Sequence, residues 1–150
     1  MINDKIKATG LVKFELFDAN GQLKEQQEKN LVVDSGLAYI ASRMVGVAKG
    51  VMSHMAVGTN TTAAADANTA LGAESARVAL DSTTIVTTTV ANDSVQYVAT
   101  FNPGTATAAI TEAGIFNAAS AGDMLARTVF SVINKGALDT LKITWKITVA

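Results

Sequence analysis

Leu141-Lys-Ile-Thr-Trp-Lys-Ile-Thr-Val149 alternates without a break: Leu141, Ile143, Trp145, Ile147 and Val149 fall on one side, Lys142, Thr144, Lys146 and Thr148 on the other. A repeat of two residues is the period of a β-strand, and an apolar face opposite a polar one marks a strand buried on one side only. Such strands belong to antiparallel sheets that fold over a single core. Working back along the chain, the pattern recurs in Val95-Gln-Tyr-Val-Ala-Thr-Phe101, before Pro103 and Gly104 close it, and in Val12-Lys-Phe-Glu-Leu16 near the front. Asp18-Ala-Asn-Gly21 supplies a tight turn, so the first thirty residues read as an N-terminal hairpin. Val78–Val90 is rich in Thr and Val and is expected to form strands. Val51–Val57 reads as a short buried strand. Ile110–Phe116 and Met124–Val132 read as strands flanking the small-residue link Asn117–Asp123.

One stretch breaks the β pattern. Leu37, Ile40, Ala41 and Met44 recur at helical spacing, and Asp34 or Ser35 can cap the helix they imply, near residues 35–45. The segment Gly58–Gly72 is a Thr/Ala/Asn-rich loop with too little apolar bulk to enter a core, and its length marks it as functional or as a partner contact. Its polar stretch from Thr59 to Ala70 is expected to be mobile in an isolated subunit and ordered by a neighbour. Six or more strands with short turns and one helix give a mainly β fold, an antiparallel β-sandwich or flattened barrel, with residues 1–150 as a single domain.

Composition narrows the function. The chain has 150 residues, 49% hydrophobic but only 5% aromatic, and a formal net charge of −1. No overall field draws it to nucleic acid or anionic lipid, and no apolar run approaches the ~20 residues of a membrane span, so neither nucleic acid nor membrane is an expected partner. A soluble, unprocessed chain is expected. With no cysteine there is neither a disulfide framework nor a thiolate nucleophile. The single histidine, His54, lies in a strand without a Gly-x-Ser-x-Gly elbow, and an edge or interface role outweighs catalysis there. Asp18-Ala-Asn-Gly21 starts like a calcium loop but lacks the later ligands, so the turn reading holds, and no metal or cofactor is expected.

Acids and arginines nevertheless recur in step: Glu74 with Arg77, and Glu112 with Arg127. A planar guanidinium among small neighbours can satisfy a carboxylate and nearby carbonyls together, so these four are candidates for structural ion pairs. A catalytic acid is the weaker reading, because no nucleophile, metal or cofactor motif accompanies them.

Ala56-Val-Gly-Thr59, Ala70-Leu-Gly-Ala-Glu-Ser-Ala-Arg77, Ile110-Thr-Glu-Ala-Gly-Ile-Phe-Asn117, Met124-Leu-Ala-Arg-Thr-Val-Phe130 and Asp139-Thr-Leu-Lys-Ile-Thr-Trp145, in this order, resemble a family of small virion structural proteins of tailed bacteriophages. The family comprises tail-fibre and collar modules and similar domains used as capsid decoration (cement) proteins, and the resemblance runs from about Asn30 onward. It implies a non-enzymatic virion protein assembled in the host cytoplasm. Its partners would be the major capsid protein or other virion proteins, and its own state a homo-oligomer, a trimer where cement proteins sit on local three-folds. The lack of a coiled-coil shaft or receptor-binding tip favours decoration over a tail-fibre or tail-tip adhesion module that contacts a host surface ligand. A carbohydrate-active enzyme is a distant third. Expected interface residues are Thr59, Asn60, Thr61, Thr62, Asp66 and Asn68 in the loop, with Lys142 and Lys146 on the wet face of the last strand.

Overall fold

The computed structural model describes residues 6–149, except the side chains of residues 25–27 and 29; residues 1–5 of the expected N-terminal hairpin, and residue 150, lie outside the described residues. In chain order the elements are β1 (Ala8–Phe17), β2 (Leu23–Val32), α1 (Asp34–Met44), β3 (His54–Gly58), β4 (Glu74–Ala79), β5 (Ser82–Val86), β6 (Ser94–Phe101), β7 (Ala108–Phe116), β8 (Met124–Lys135) and β9 (Thr140–Val149). The strands form one nine-stranded sheet in the order β4-β3-β7-β8-β2-β1-β9-β6-β5, with antiparallel neighbours throughout. This is the expected mainly β fold with one short helix, and its sheet curls into a half-barrel.

The curl follows from connectivity. β4 and β5 are the two ends of the strand order, yet only Leu80 and Asp81 separate them. Three peptide steps reach at most roughly 11 Å, so the two ends of the sheet must meet. At the junction the Leu80 N–H donates to the Ser53 carbonyl at 2.9 Å and the Asp81 N–H to the Val98 carbonyl at 2.7 Å, one residue holding each side. The expected Val78–Val90 strand region is therefore two strands divided at this corner, and residues 87–93 form a turn.

β9 lies between β1 and β6, and Leu141, Ile143, Trp145 and Ile147 point into the core, whereas Val149 is exposed at the strand's end. They meet Val12 and Phe14 of β1, Tyr97 and Phe101 of β6, and the inward residues of β3, β7 and β8 in one cluster, where the Phe14 and Phe130 rings stack with centroids 4.1 Å apart. Fully buried Trp145 still needs a partner for its N–H. Asn30 supplies it, accepting from Nε1 at 2.9 Å, and Gly10 makes room: a Cβ there would collide with the Asn30 amide.

The expected tight turn forms at Asp18–Gly21: the Gly21 N–H donates to the Asp18 carbonyl at 2.9 Å, the Asp18 N–H donates to the Gln22 carbonyl, and the Asp18 carboxylate accepts from the Asn20 and Gln22 N–H groups, with Gly21 in the left-handed position at φ 75°. Two other local expectations are corrected. Helix α1 starts from Val33, and neither Asp34 nor Ser35 caps it; the Ser35 hydroxyl instead donates to the Met124 carbonyl at 2.7 Å, tying the helix to β8. That attachment turns the helix so that Gly36 and Tyr39 are buried, while Leu37, Ala41 and Met44 face outward. The third strand begins at His54, and Val51 is exposed.

Candidate functional site

The face of β3, β7 and β8 turned away from the core is built of unusually small residues. Ala56 stands beside Gly114, Gly114 beside Arg127, and Gly58 beside Glu112. A side chain on Gly58 would strike the Ala73 carbonyl and the Glu112 carboxylate, so the glycine lets the following loop lie directly on the sheet. Leu71 then packs with Val33, Ala56, Phe116 and Met124 in a second apolar cluster. The Gly58–Gly72 loop thus does contribute to a core, against expectation, and a single leucine does it.

Beneath this loop lie Glu112 and Arg127, 0% and 2% exposed. Arg127 donates to one carboxylate oxygen from both Nε (3.1 Å) and Nη2 (2.9 Å). That same oxygen accepts the Gly72 N–H at 2.9 Å, and the other accepts the Ala73 N–H at 2.7 Å and the Asn60 N–H at 3.3 Å. Arg127 also reaches the loop, donating from Nη1 to Asn68 Oδ1 and from Nη2 to the Thr62 carbonyl, each at 3.0 Å. Next to Glu112, the Thr111 hydroxyl donates to the Asn60 carbonyl. The acid holds both ends of the loop and the arginine its middle.

This geometry answers what the pair can do chemically. A general acid or base must meet the atom it protonates or deprotonates. Glu112 is sealed from solvent and each carboxylate oxygen already accepts at least two hydrogen bonds, so its capacity is spent on the loop and on Arg127. The expectation of a loop ordered only by a neighbour is overturned for the same reason: charge-assisted bonds, stronger than neutral ones, fix the backbone at Asn60, Thr62, Gly72 and Ala73.

The second candidate pair sits alongside. Arg77 forms a fork with Glu74, Nε to Oε1 at 2.9 Å and Nη2 to Oε2 at 2.7 Å, and its Nη1 donates to the carbonyls of Ala118 and Ala121. Its guanidinium lies 3.7 Å over the Phe116 ring, a cation–π contact that clamps the Asn117–Asp123 link to the same face.

The expected interface residues divide. Thr59, Thr61, Thr62 and Asp66 display exposed side chains, but Asn60 and Asn68 are half-buried and shape the loop, Asn60 Oδ1 accepting from Thr62 N–H and Asn68 Oδ1 from Ala65 N–H. Lys142 and Lys146 lie on β9, in the other half of the sheet, flanked by β1 and β6, and do not join the loop surface. His54 is half-buried with Nδ1 2.8 Å from the Ser53 hydroxyl. Among the described residues no group of three His, Cys, Asp or Glu could hold a metal ion, and no helix is long and apolar enough to cross a membrane.

Three side chains escaped the sequence reading. Lys135 is buried and donates to the Asn102 carbonyl at 3.0 Å; burial lowers its pKa, with Asp139 nearby opposing the shift. Asp93 gathers the N–H groups of Val90, Thr89 and Thr88 and the Ser94 hydroxyl, which together hold its carboxyl well below the usual range. Tyr97, beneath α1 and close to Tyr39, is pushed up to about 12 by burial first and by Tyr39 second. Of these, only Asp93 carried a signal, an acid just ahead of a strand and behind a Thr-rich turn. No family model, curated protein or solved structure matches the chain.

Proposed function

We propose that this chain is a non-enzymatic structural protein of a tailed-phage virion, a capsid decoration protein that binds the assembled head lattice and stabilises it. One observation carries the reading. Four of the five segments on which the family resemblance rests meet on one face of the sheet: Gly58 from the first, Gly72 and Ala73 from the second, Glu112 from the third and Arg127 from the fourth hold the loop, while Arg77 of the second and Phe116 of the third clamp the Asn117–Asp123 link beside it. Their common product is a long polar loop held in one shape over a sheet, with Thr59, Thr61, Thr62 and Asp66 presented outward. A surface fixed before contact loses little ordering entropy on binding, which suits a protein whose work is to cover another.

A decoration protein that binds the lattice and not its free subunits stabilises the lattice by mass action. The test is location. Labelled protein in purified particles should lie over the whole head surface, and the double substitution Thr61→Arg with Asp66→Lys should fold normally yet leave heads bare. Truncating the loop would be a poor probe, because it strips Glu112 of its partners. Label confined to the tail would transfer the protein to the adhesion-module reading.

A further inference from the structure

Helix α1 does not lie flush on the sheet. Between it and the adjacent ends of β6 and β9 opens a pocket of about 170 Å³, walled by Val95, Leu125 and Ile147, with Tyr39 and Arg43 of the helix and Tyr97 of β6 as its polar side chains. A cavity of about 150 Å³ can hold a benzene ring, so the space suits a ring or a chain of about six carbons. The polar groups decide what such a body must carry. Tyr39 and Tyr97 are each 8% exposed, and neither hydroxyl has a hydrogen-bond partner among the described residues. Among those residues the one unpartnered side-chain polar atom sealed from solvent is Asn30 Nδ2, so the two hydroxyls are open, onto the pocket they line. Burial first, and Tyr39 second, push Tyr97 up to about 12, which keeps its proton in place for donation at neutral pH. Arg43, exposed at the rim, donates from Nη1 to the Lys49 carbonyl at 2.9 Å and pairs with no carboxylate among the described residues. No acid lines the pocket.

We propose that this pocket binds a small carboxylic acid as its anion, with the apolar tail between α1 and the sheet and the carboxylate at the two phenols and Arg43. Donors select that class. Phenol O–H groups and a guanidinium all offer hydrogen, and a carboxylate accepts several such bonds while answering the charge at the rim. A neutral alcohol leaves that charge unanswered, and an amine meets it with its own sign. Apolar walls with a few convergent polar groups are the usual form of a small-molecule site, and the modest volume limits this one to a short ligand. The inference goes beyond the virion reading and is tested without a virion.

Methyl NMR spectra of the full chain, titrated with sodium hexanoate, provide the test. Saturable shifts at Val95, Leu125 and Ile147 are expected, with a Kd of roughly 0.1–1 mM for a ligand of about eight non-hydrogen atoms. Hexanol should bind more weakly. Tyr97→Phe keeps the ring and removes the hydroxyl, and should raise the hexanoate Kd about fivefold. Arg43→Gln should raise it at least about fivefold, with hexanol binding, circular dichroism and Tm as in the wild type. If Tyr97→Phe fails to fold, the Arg43→Gln comparison alone decides. Absent or unsaturable shifts, hexanol bound as tightly as hexanoate, or a hexanoate Kd that Arg43→Gln leaves unmoved overturns the proposal. A wild-type chain that ignores hexanoate, yet loses its attachment to heads in folded Tyr97→Phe, would give the pocket to a partner's side chain: the proposal then falls and the virion reading stands.

Discussion

Removing either member of the buried pair should be among the costliest single changes in this protein, and removing both should recover part of the loss. Glu112→Gln leaves Arg127, 2% exposed, without its counter-charge and sets an amide donor among N–H donors from Asn60, Gly72 and Ala73. Arg127→Met leaves a carboxylate that is 0% exposed with backbone donors but no cation, and frees Thr62 and Asn68. Breaking a buried pair costs about 3–5 kcal/mol, which for a chain of this size lowers Tm by roughly 6–20 °C. The double variant contains no buried charge at this point, so its loss should fall short of the sum by about 1–3 kcal/mol. Chemical unfolding of the four proteins gives this coupling directly. Hydrogen exchange adds a local reading: the amides of Asn60, Gly72 and Ala73 should lose protection in Glu112→Gln while those of β9 keep theirs. Strictly additive losses, or loop amides as protected as in the wild type, would refute the reasoning.

Three other outcomes follow from particular contacts. Gly58→Ala should cost about 1–3 kcal/mol through overpacking and release the same loop amides, because the new methyl meets the Ala73 carbonyl and Glu112. Asn30→Ala should cost about 1–3 kcal/mol, read by urea unfolding, by leaving the buried Trp145 N–H without an acceptor. For Asp93 the folded pKa lies below the unfolded value of about 3.9, so its contribution is present above that pH and is lost as pH falls through the folded value. Asp93→Asn should therefore be less stable than wild type at neutral pH, by a modest amount for an exposed group, and the gap in Tm should close on acidification.

Strict alternation made β9 legible, since each of Leu141, Ile143, Trp145 and Ile147 signals its own face. Periodicity misplaced three of the four residues of the α1 stripe, Ile40 alone packing against the core, because a helix of eleven residues presents apolar side chains on more than one side and its docking is decided elsewhere, by Ser35 on the Met124 carbonyl and by Tyr39 in the core. Glu112 and Arg127 were visible as candidates, but their principal partners were not. Three of the donors to Glu112 are backbone groups of Asn60, Gly72 and Ala73, and main-chain donors leave no residue-type signature. The composition of the loop suggested mobility, whereas its shape is set by side chains that approach from β7 and β8. Asn30 was hidden for a related reason: it faces Gly10 on the neighbouring strand, and the role of both depends on a tryptophan more than a hundred positions away.

The most direct test of the central claim, that this protein works by covering and bracing an assembled shell, is the temperature at which heads lacking it release their DNA, measured before and after adding the purified chain. Wild-type protein should bind assembled heads, ignore free capsid subunits and raise the release temperature, while folded Thr61→Arg with Asp66→Lys should neither bind heads nor raise it. Heads that are equally robust without the protein, on particles that have lost the ability to adsorb to cells, would contradict it.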